Sequence, residues 1–263
     1  MKKFWKVLKI VLLVLLALIV VIGIAIAIFT VKNGKQMDAC VDAILEEVSK
    51  DHEIEKKDAG DLAEITLFGP VKIKSQQYEI KGFGNMTIMT ANAGVMQMVS
   101  AIFSPFDKDV ALFSLDYMYM FASRTCYLEF YDLVDEKDAE YMSWMNKLET
   151  IRSKYGELED TQASGGWYDD LITVAIYKKA GTADNEKIID MLRDTIDIYT
   201  DMADAYPRMF GTARYQKINR VKDYSDKLID NGGVSTDMIA GILGVDKTRE
   251  FFDQVFFGTE KYR

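Results

Sequence analysis

The sequence predicts an α+β fold: a central antiparallel β-sheet sandwiched between α-helices, an α/β/α sandwich, preceded by one N-terminal transmembrane helix. Three observations carry that prediction. Apolar and polar residues alternate with period two through residues 61 to 134, helical spacing takes over from Glu136 onward, and an uncharged apolar run precedes both.

That run, Ile10 to Val31, contains 22 residues without a charge. At 1.5 Å per residue it makes about 33 Å of helix, which matches a bilayer core. Lys2, Lys3, Lys6 and Lys9 precede it, Lys32 and Lys35 follow it, and Trp5 sits where an interfacial aromatic would anchor. The lysine imbalance predicts a single-pass protein of the cell membrane with a cytoplasmic N-terminus and an extracytoplasmic domain. A cleaved signal peptide is the competing reading, because Ala25-Ile26-Ala27 has suitable small residues, although the apolar core is long for that role. Both readings place the bulk of the chain outside the cytoplasm.

Residues 1–35 therefore read as cytoplasmic tip and anchor, 36–60 as an amphipathic helix and linker, and 61–263 as the sandwich domain. Met37, Cys40, Val41, Ile44, Leu45 and Val48 recur at helical spacing, and a polar linker follows from Lys50 to Gly60. Val71 and Ile73, Tyr78 and Ile80, and Cys126, Leu128 and Phe130 then alternate with polar neighbours. With turns at Gly69-Pro70, Lys81-Gly82 and Pro105 to Asp109, about six antiparallel strands are expected in a meander. Helices are expected over Glu136 to Lys154, Asp184 to Ala205, Thr212 to Ile229, Ser235 to Leu243 and Asp246 to Phe256, with a strand over Leu171 to Tyr177. Gly232-Gly233 should stop the Thr212 to Ile229 helix, and Ser235 is placed to cap the next.

Charge and composition exclude several chemistries. Beyond residue 35 there are 26 basic and 41 acidic residues, a net charge of −15, which opposes nucleic-acid binding. The single histidine, His52, lies in the polar stretch Ser49 to Asp58, so no catalytic triad is legible, and His and Cys are too few for a zinc site. Gly82-Phe83-Gly84 reads as a turn rather than a dinucleotide fingerprint. Asp107 and Asp109 read as solvated turn acids, with a divalent cation as the alternative. No metal site and no cofactor within the polypeptide are expected. Cys40 and Cys126 are read as two buried thiols, a single disulfide being the other option.

Asp116 stands apart because it interrupts the apolar strand Ala111-Leu112-Phe113-Ser114-Leu115-Asp116-Tyr117-Met118. Desolvation there would raise its pKa and let it hold or donate a proton near neutrality; a carboxylate hydrogen-bonded at a strand end is the plainer account. Methionine and tyrosine are abundant, and Met89, Met98, Phe113, Met118, Tyr199 and Tyr224 are the expected lining of a slot for an apolar ligand.

The run Ala101-Ile102-Phe103-Ser104-Pro105, the turn Phe106 to Val110 and the strand ending in Asp116 together resemble the ferredoxin-dependent bilin reductases and red chlorophyll catabolite reductase. Those proteins carry an apolar strand ending in Phe-Pro, an acidic turn, and Pro-x-Phe-Gly-x-Asp with a catalytic aspartate. The following strand, Tyr127 to Asp132, and the order of a Tyr199 helix, a Tyr215 and Tyr224 helix and a Phe-rich end are similar too, over roughly residues 65–263. The resemblance implies a linear tetrapyrrole, a bilin, held between sheet and C-terminal helices, with Asp116 as proton donor and an electron-donor protein as partner if the chain is a reductase. This sequence departs from the family by offering Val99 or Ser100 where a histidine stands and Thr87, Ile88 or Met89 where a glutamate stands. The expected function is accordingly binding of an apolar or tetrapyrrole-like ligand without reduction. Alternatives are a bilin reductase using Asp116, and a structural or interaction protein of the cell envelope.

Overall fold

The computed structural model describes residues 2–69 and 71–262, and their side chains except those of Lys2, Lys3, Phe68, Val234 and Ser235. The expected turn residue Pro70 and the expected capping side chain of Ser235 thus lie outside the described residues. Helix α1, Lys2–Val48, runs unbroken through the apolar span and the amphipathic stretch. The helix continues through the boundary expected at residue 35, where Gly34 costs about 1 kcal/mol and Asn33 is held by its contacts to the sheet. Among the described helices α1 alone is long and apolar enough to cross a membrane, and its most apolar stretch is not buried against the rest of the chain.

Among the described residues nine strands follow in one antiparallel sheet: β1 Ile54–Lys57, β2 Glu64–Phe68, β3 Val71–Ile80, β4 Gly84–Ala93, β5 Met96–Ser104, β6 Leu112–Met120, β7 Ser123–Tyr131, β8 Glu159–Asp160 and β9 Ile172–Gly181. Their order is β1-β3-β4-β5-β6-β7-β9-β8, and β2 also pairs with β3. The expected polar linker is partly strand. β1 escaped notice because Ile54 is its one apolar residue; charges such as Lys57, paired with Glu79 at 2.6 Å, suit an edge. Five helices lie over the sheet: α2 Ala139–Lys154, α3 Asn185–Ala205, α4 Gly211–Asn231, α5 Val234–Leu243 and α6 Val245–Phe251, which loosens into one π-helical turn, Phe252–Phe256. Asp138 starts α2 by accepting the Tyr141 N–H at 2.7 Å.

Side-chain parity sorts the strands into two buried faces. On one, Val99, Tyr117, Phe113, Leu128 and Phe130 pack against the second half of α1 together with α2 and α3. Phe113 stacks on Phe130 at 4.6 Å, and Tyr199 of α3 tilts onto both. On the other, Ile73, Met89, Ile102, Leu112 and Tyr131 meet α4, α5 and α6. The second cover is sealed by a polar clasp at the sheet end remote from the anchor. Gln77 donates to the carbonyls of Gln254 and Val255 at 3.0 and 3.1 Å, Thr87 to Val255 at 2.7 Å, and Asn85 to Phe256 at 3.2 Å. These side chains satisfy the carbonyls that the closing helical turn leaves without intrahelical partners.

Candidate functional site

The clasp fills one end of the second face and leaves the other open. Cross-strand register sets Met89, Ser100, Asp116, Tyr127 and Tyr177 side by side on β4, β5, β6, β7 and β9. Met89 and Ser100 are buried, whereas Asp116, Tyr127 and Tyr177 are half-buried at the edge of the helical cover. One row nearer the anchor, Met98, Met118 and Thr125 are half-buried as well. This face is an open strip with a carboxyl group in its floor.

Burial pushes the Asp116 carboxyl up to about 6; a hydrogen bond with Ser100 opposes the shift and the charge of Glu129 reinforces it. Glu129 accepts from the hydroxyls of Tyr131 at 2.7 Å and Tyr177 at 2.8 Å, and burial raises the pKa of both phenols. Tyr177 stands edge-on to Tyr127 at 5.2 Å, and Tyr224 of α4 tilts onto Tyr131 at 4.9 Å. Beside Glu129 and Tyr177 a cavity of about 250 Å³ runs beneath Tyr168 and Gly165. Sites for drug-sized ligands usually enclose at least about 300 Å³, and this cavity by itself is smaller. Chemically the strip offers aromatic and thioether surface, one acid that exchanges its proton near neutrality, and one carboxylate fixed by two phenols.

Of the seven residues picked out from the sequence, the structure gathers five on this face: Asp116, Met89, Met98, Met118 and Tyr224. Phe113 and Tyr199 are separated from them. Phe113 lies three positions from Asp116, so its side chain takes the opposite side of β6, and both Phe113 and Tyr199 are fully buried in the anchor-side core. Ser100, Tyr127, Glu129 and Tyr177 were not among the expected lining. Parity in Tyr127 to Tyr131 puts Glu129 and Tyr127 on the Asp116 face, whereas Tyr177 needs the pairing of β7 with β9. Of the residues weighed at those positions, Ser100 lies opposite Asp116 while Val99 and Ile88 are core, and Met89 and Thr87 both share the Asp116 face, Thr87 being bound to the Val255 carbonyl.

The other candidates find structural roles. Asp107 is not a solvated turn acid: Arg208 and Arg214 both bind its buried carboxylate. Asp109 reaches Lys217 at 3.3 Å, and no cluster of potential metal ligands occurs among the described residues. Sequence gave no sign of either contact, because the partners lie about a hundred positions away. His52 packs 3.8 Å from Asp204, far from any nucleophile pairing. Cys40 and Cys126 are buried, free thiols, and burial pushes the Cys40 thiol up to about 12.

No family model matches the chain, and no curated protein matches it. Among solved structures it is similar to the crystal structure of selenomethionine phytochromobilin synthase from tomato in complex with biliverdin, with a TM-score of 0.67 over 83% of this chain and 82% of that one. Sequence identity is 9%, so the likeness speaks to architecture. The chain carries a bilin-reductase-like α/β/α sandwich, set behind a long apolar N-terminal helix.

Proposed function

We propose that this protein is a membrane-anchored, extracytoplasmic binder of an apolar or tetrapyrrole-like ligand, which it holds on the open strip without reducing it. The observation that carries the reading is the half-buried Asp116, titrating near 6 among Ser100, Tyr127, Met98 and Met118 on the sheet face left uncovered. Such a carboxyl can accept a hydrogen bond from pyrrole N–H groups when ionised and donate one when protonated. Support for the ligand class comes from the fold, whose tomato neighbour is in complex with biliverdin. Support for anchoring comes from the apolar half of α1, and support for the orientation from the four lysines before the span against two after it.

A bilin reductase with Asp116 as proton donor is the second reading, favoured by the same carboxyl because a pKa near 6 suits general acid work. It needs an electron-donor protein. Mixing the full chain in detergent micelles with biliverdin and recording visible spectra with and without a chemical reductant separates the two. A perturbed spectrum with no protein-dependent product on reduction is expected. A blue-shifted product abolished by Asp116→Asn would establish the reductase, and an unperturbed spectrum would remove both readings, leaving a structural protein of the envelope.

A further inference from the structure

The anchor helix and the sheet meet at a defined level. Phe29 of α1 stands edge-on to Phe121 at 5.9 Å, in the turn between β6 and β7. Asn33, fully buried, donates to the carbonyls of Val95 at 2.9 Å and Phe121 at 3.2 Å, so one side chain ties both hairpin turns to the helix. Gln97 returns a bond to the Thr30 carbonyl at 2.9 Å. The uncharged run ends at Val31, two residues or about 3 Å of helix rise beyond Phe29. If α1 spans a bilayer, the hairpin turns lie at the boundary between hydrocarbon and headgroups.

Beside exposed Asn92 and Ser123, most of what they display there is apolar. Met96 and Met120 face each other across the ladder and are each 52% exposed; Phe121 is 47% exposed. Phe121 also adopts a left-handed backbone, φ 50°, a conformation that costs a bulky residue about 1–2 kcal/mol and that glycine or asparagine would adopt more cheaply. Met96 and Met98 on β5, and Met120 and Met118 on β6, alternate in phase with Ser100 and Asp116. A double file of methionines therefore runs from the exposed turns to the acid on the open face.

We infer that the sheet end bearing Met96, Met120 and Phe121 is seated in the lipid interface, so that the strip opens on the bilayer and takes its ligand from lipid. The occupant of this end is the membrane itself: the anchor's own exit point sets the depth, and the large exposed groups are two thioethers and an aromatic ring. The ligand class narrows to lipid-dissolved amphiphiles with a flat apolar body and a hydrogen-bonding group for Asp116. This part rests on the binding role proposed above; the seating rests only on α1 being a membrane anchor.

The test uses the full chain in phosphatidylcholine nanodiscs with nitroxides on Met96→Cys, Met120→Cys and, as reference, Lys81→Cys; the native thiols are buried. Lys81 lies at the opposite end of the strands, roughly 26 Å away at about 3.3 Å per residue. Accessibility to oxygen relative to an aqueous nickel complex is expected to be several-fold higher at 96 and 120 than at 81. Equal ratios at all three sites overturn the seating. For access, transfer of biliverdin dimethyl ester from phosphatidylcholine vesicles is expected to slow about tenfold in Met96→Asp/Met120→Asp, while affinity for the same ester in detergent micelles stays within twofold. Unchanged transfer overturns lipid access. Absence of binding by the native chain in micelles overturns the ligand role and access together, while the nitroxide ratios still decide the seating.

Discussion

Replacing Asp107 with alanine is expected to destabilise the fold by about 3 kcal/mol, because it strips a buried carboxylate from two guanidinium groups. Arg208 donates through Nε and Nη2 at 3.0 and 2.6 Å, Arg214 through Nε at 2.7 Å. Arg214 also holds the Tyr262 carbonyl at 2.6 Å, so this acid joins the β5–β6 connection, the approach to α4 and the end of the chain. Arg208 is half exposed, which keeps the figure below the upper range for buried pairs. Chemical unfolding of the full chain in detergent, read by circular dichroism, measures the loss. A change under 1 kcal/mol would mean that the two arginines are held by something else.

Lys217→Met should cost a similar amount, roughly 3 kcal/mol at neutral pH, through the orphaned carbonyls of Val110 and Leu133, which Nζ contacts at 2.6 and 2.7 Å. This effect has a pH signature. Burial lowers the Lys217 pKa from 10.5 to about 8, with Asp109 opposing the shift. Between those values the unfolded chain retains a proton that the folded chain has released, so native stability rises with pH across that window. Methionine lacks the titration. The deficit of Lys217→Met should thus widen above pH 8, by up to roughly 3 kcal/mol at 1.36 kcal/mol per unit. A pH-independent deficit would show that the ammonium is hydrated in the native state.

Local pattern made most of the sheet readable, since β3, β6 and β7 each bury alternate residues and announce themselves by period two. Helix α3 was legible for the same reason at period 3.6. What stayed hidden depended on partners distant in sequence. The closing π-helical turn exists because Gln77, Asn85 and Thr87 supply donors to it, and nothing local in Phe252 to Phe256 forecasts that. The burial of Asp107 follows from arginines on another element. Asp116 was recognisable as an acid in an apolar strand, yet the company it keeps was only half readable. Strict use of parity excludes Phe113 and admits Glu129, whereas the exclusion of Tyr199 requires knowing which face α3 covers.

The polar clasp decides which part of the second sheet face is covered. Thr87 shares the Asp116 face, but it binds the Val255 carbonyl and closes that end of the sheet. The exposed part of this face lies toward the anchor, where Met96, Met98, Met118 and Met120 line it. A ligand on this face would touch Asp116 at its inner limit and Met98 and Met118 at its outer one, short of the hairpin turns, which is why the acid's environment is the pivot of the functional reading.

Asp116 titrates from 3.8 toward about 6 on folding. The unfolded chain gives up its proton first as pH rises, so this residue lowers native stability between those values, and Asp116→Asn should be relieved of that loss. The most direct observation is the carboxyl carbon shift of Asp116 itself, followed by NMR from pH 3 to 8 in the full chain carrying labelled aspartate and assigned by Asp116→Asn. A midpoint near 6 is expected for an acid sequestered in the floor of an open strip; a midpoint at or below 4 would show a fully hydrated carboxylate and contradict the proposed role of Asp116.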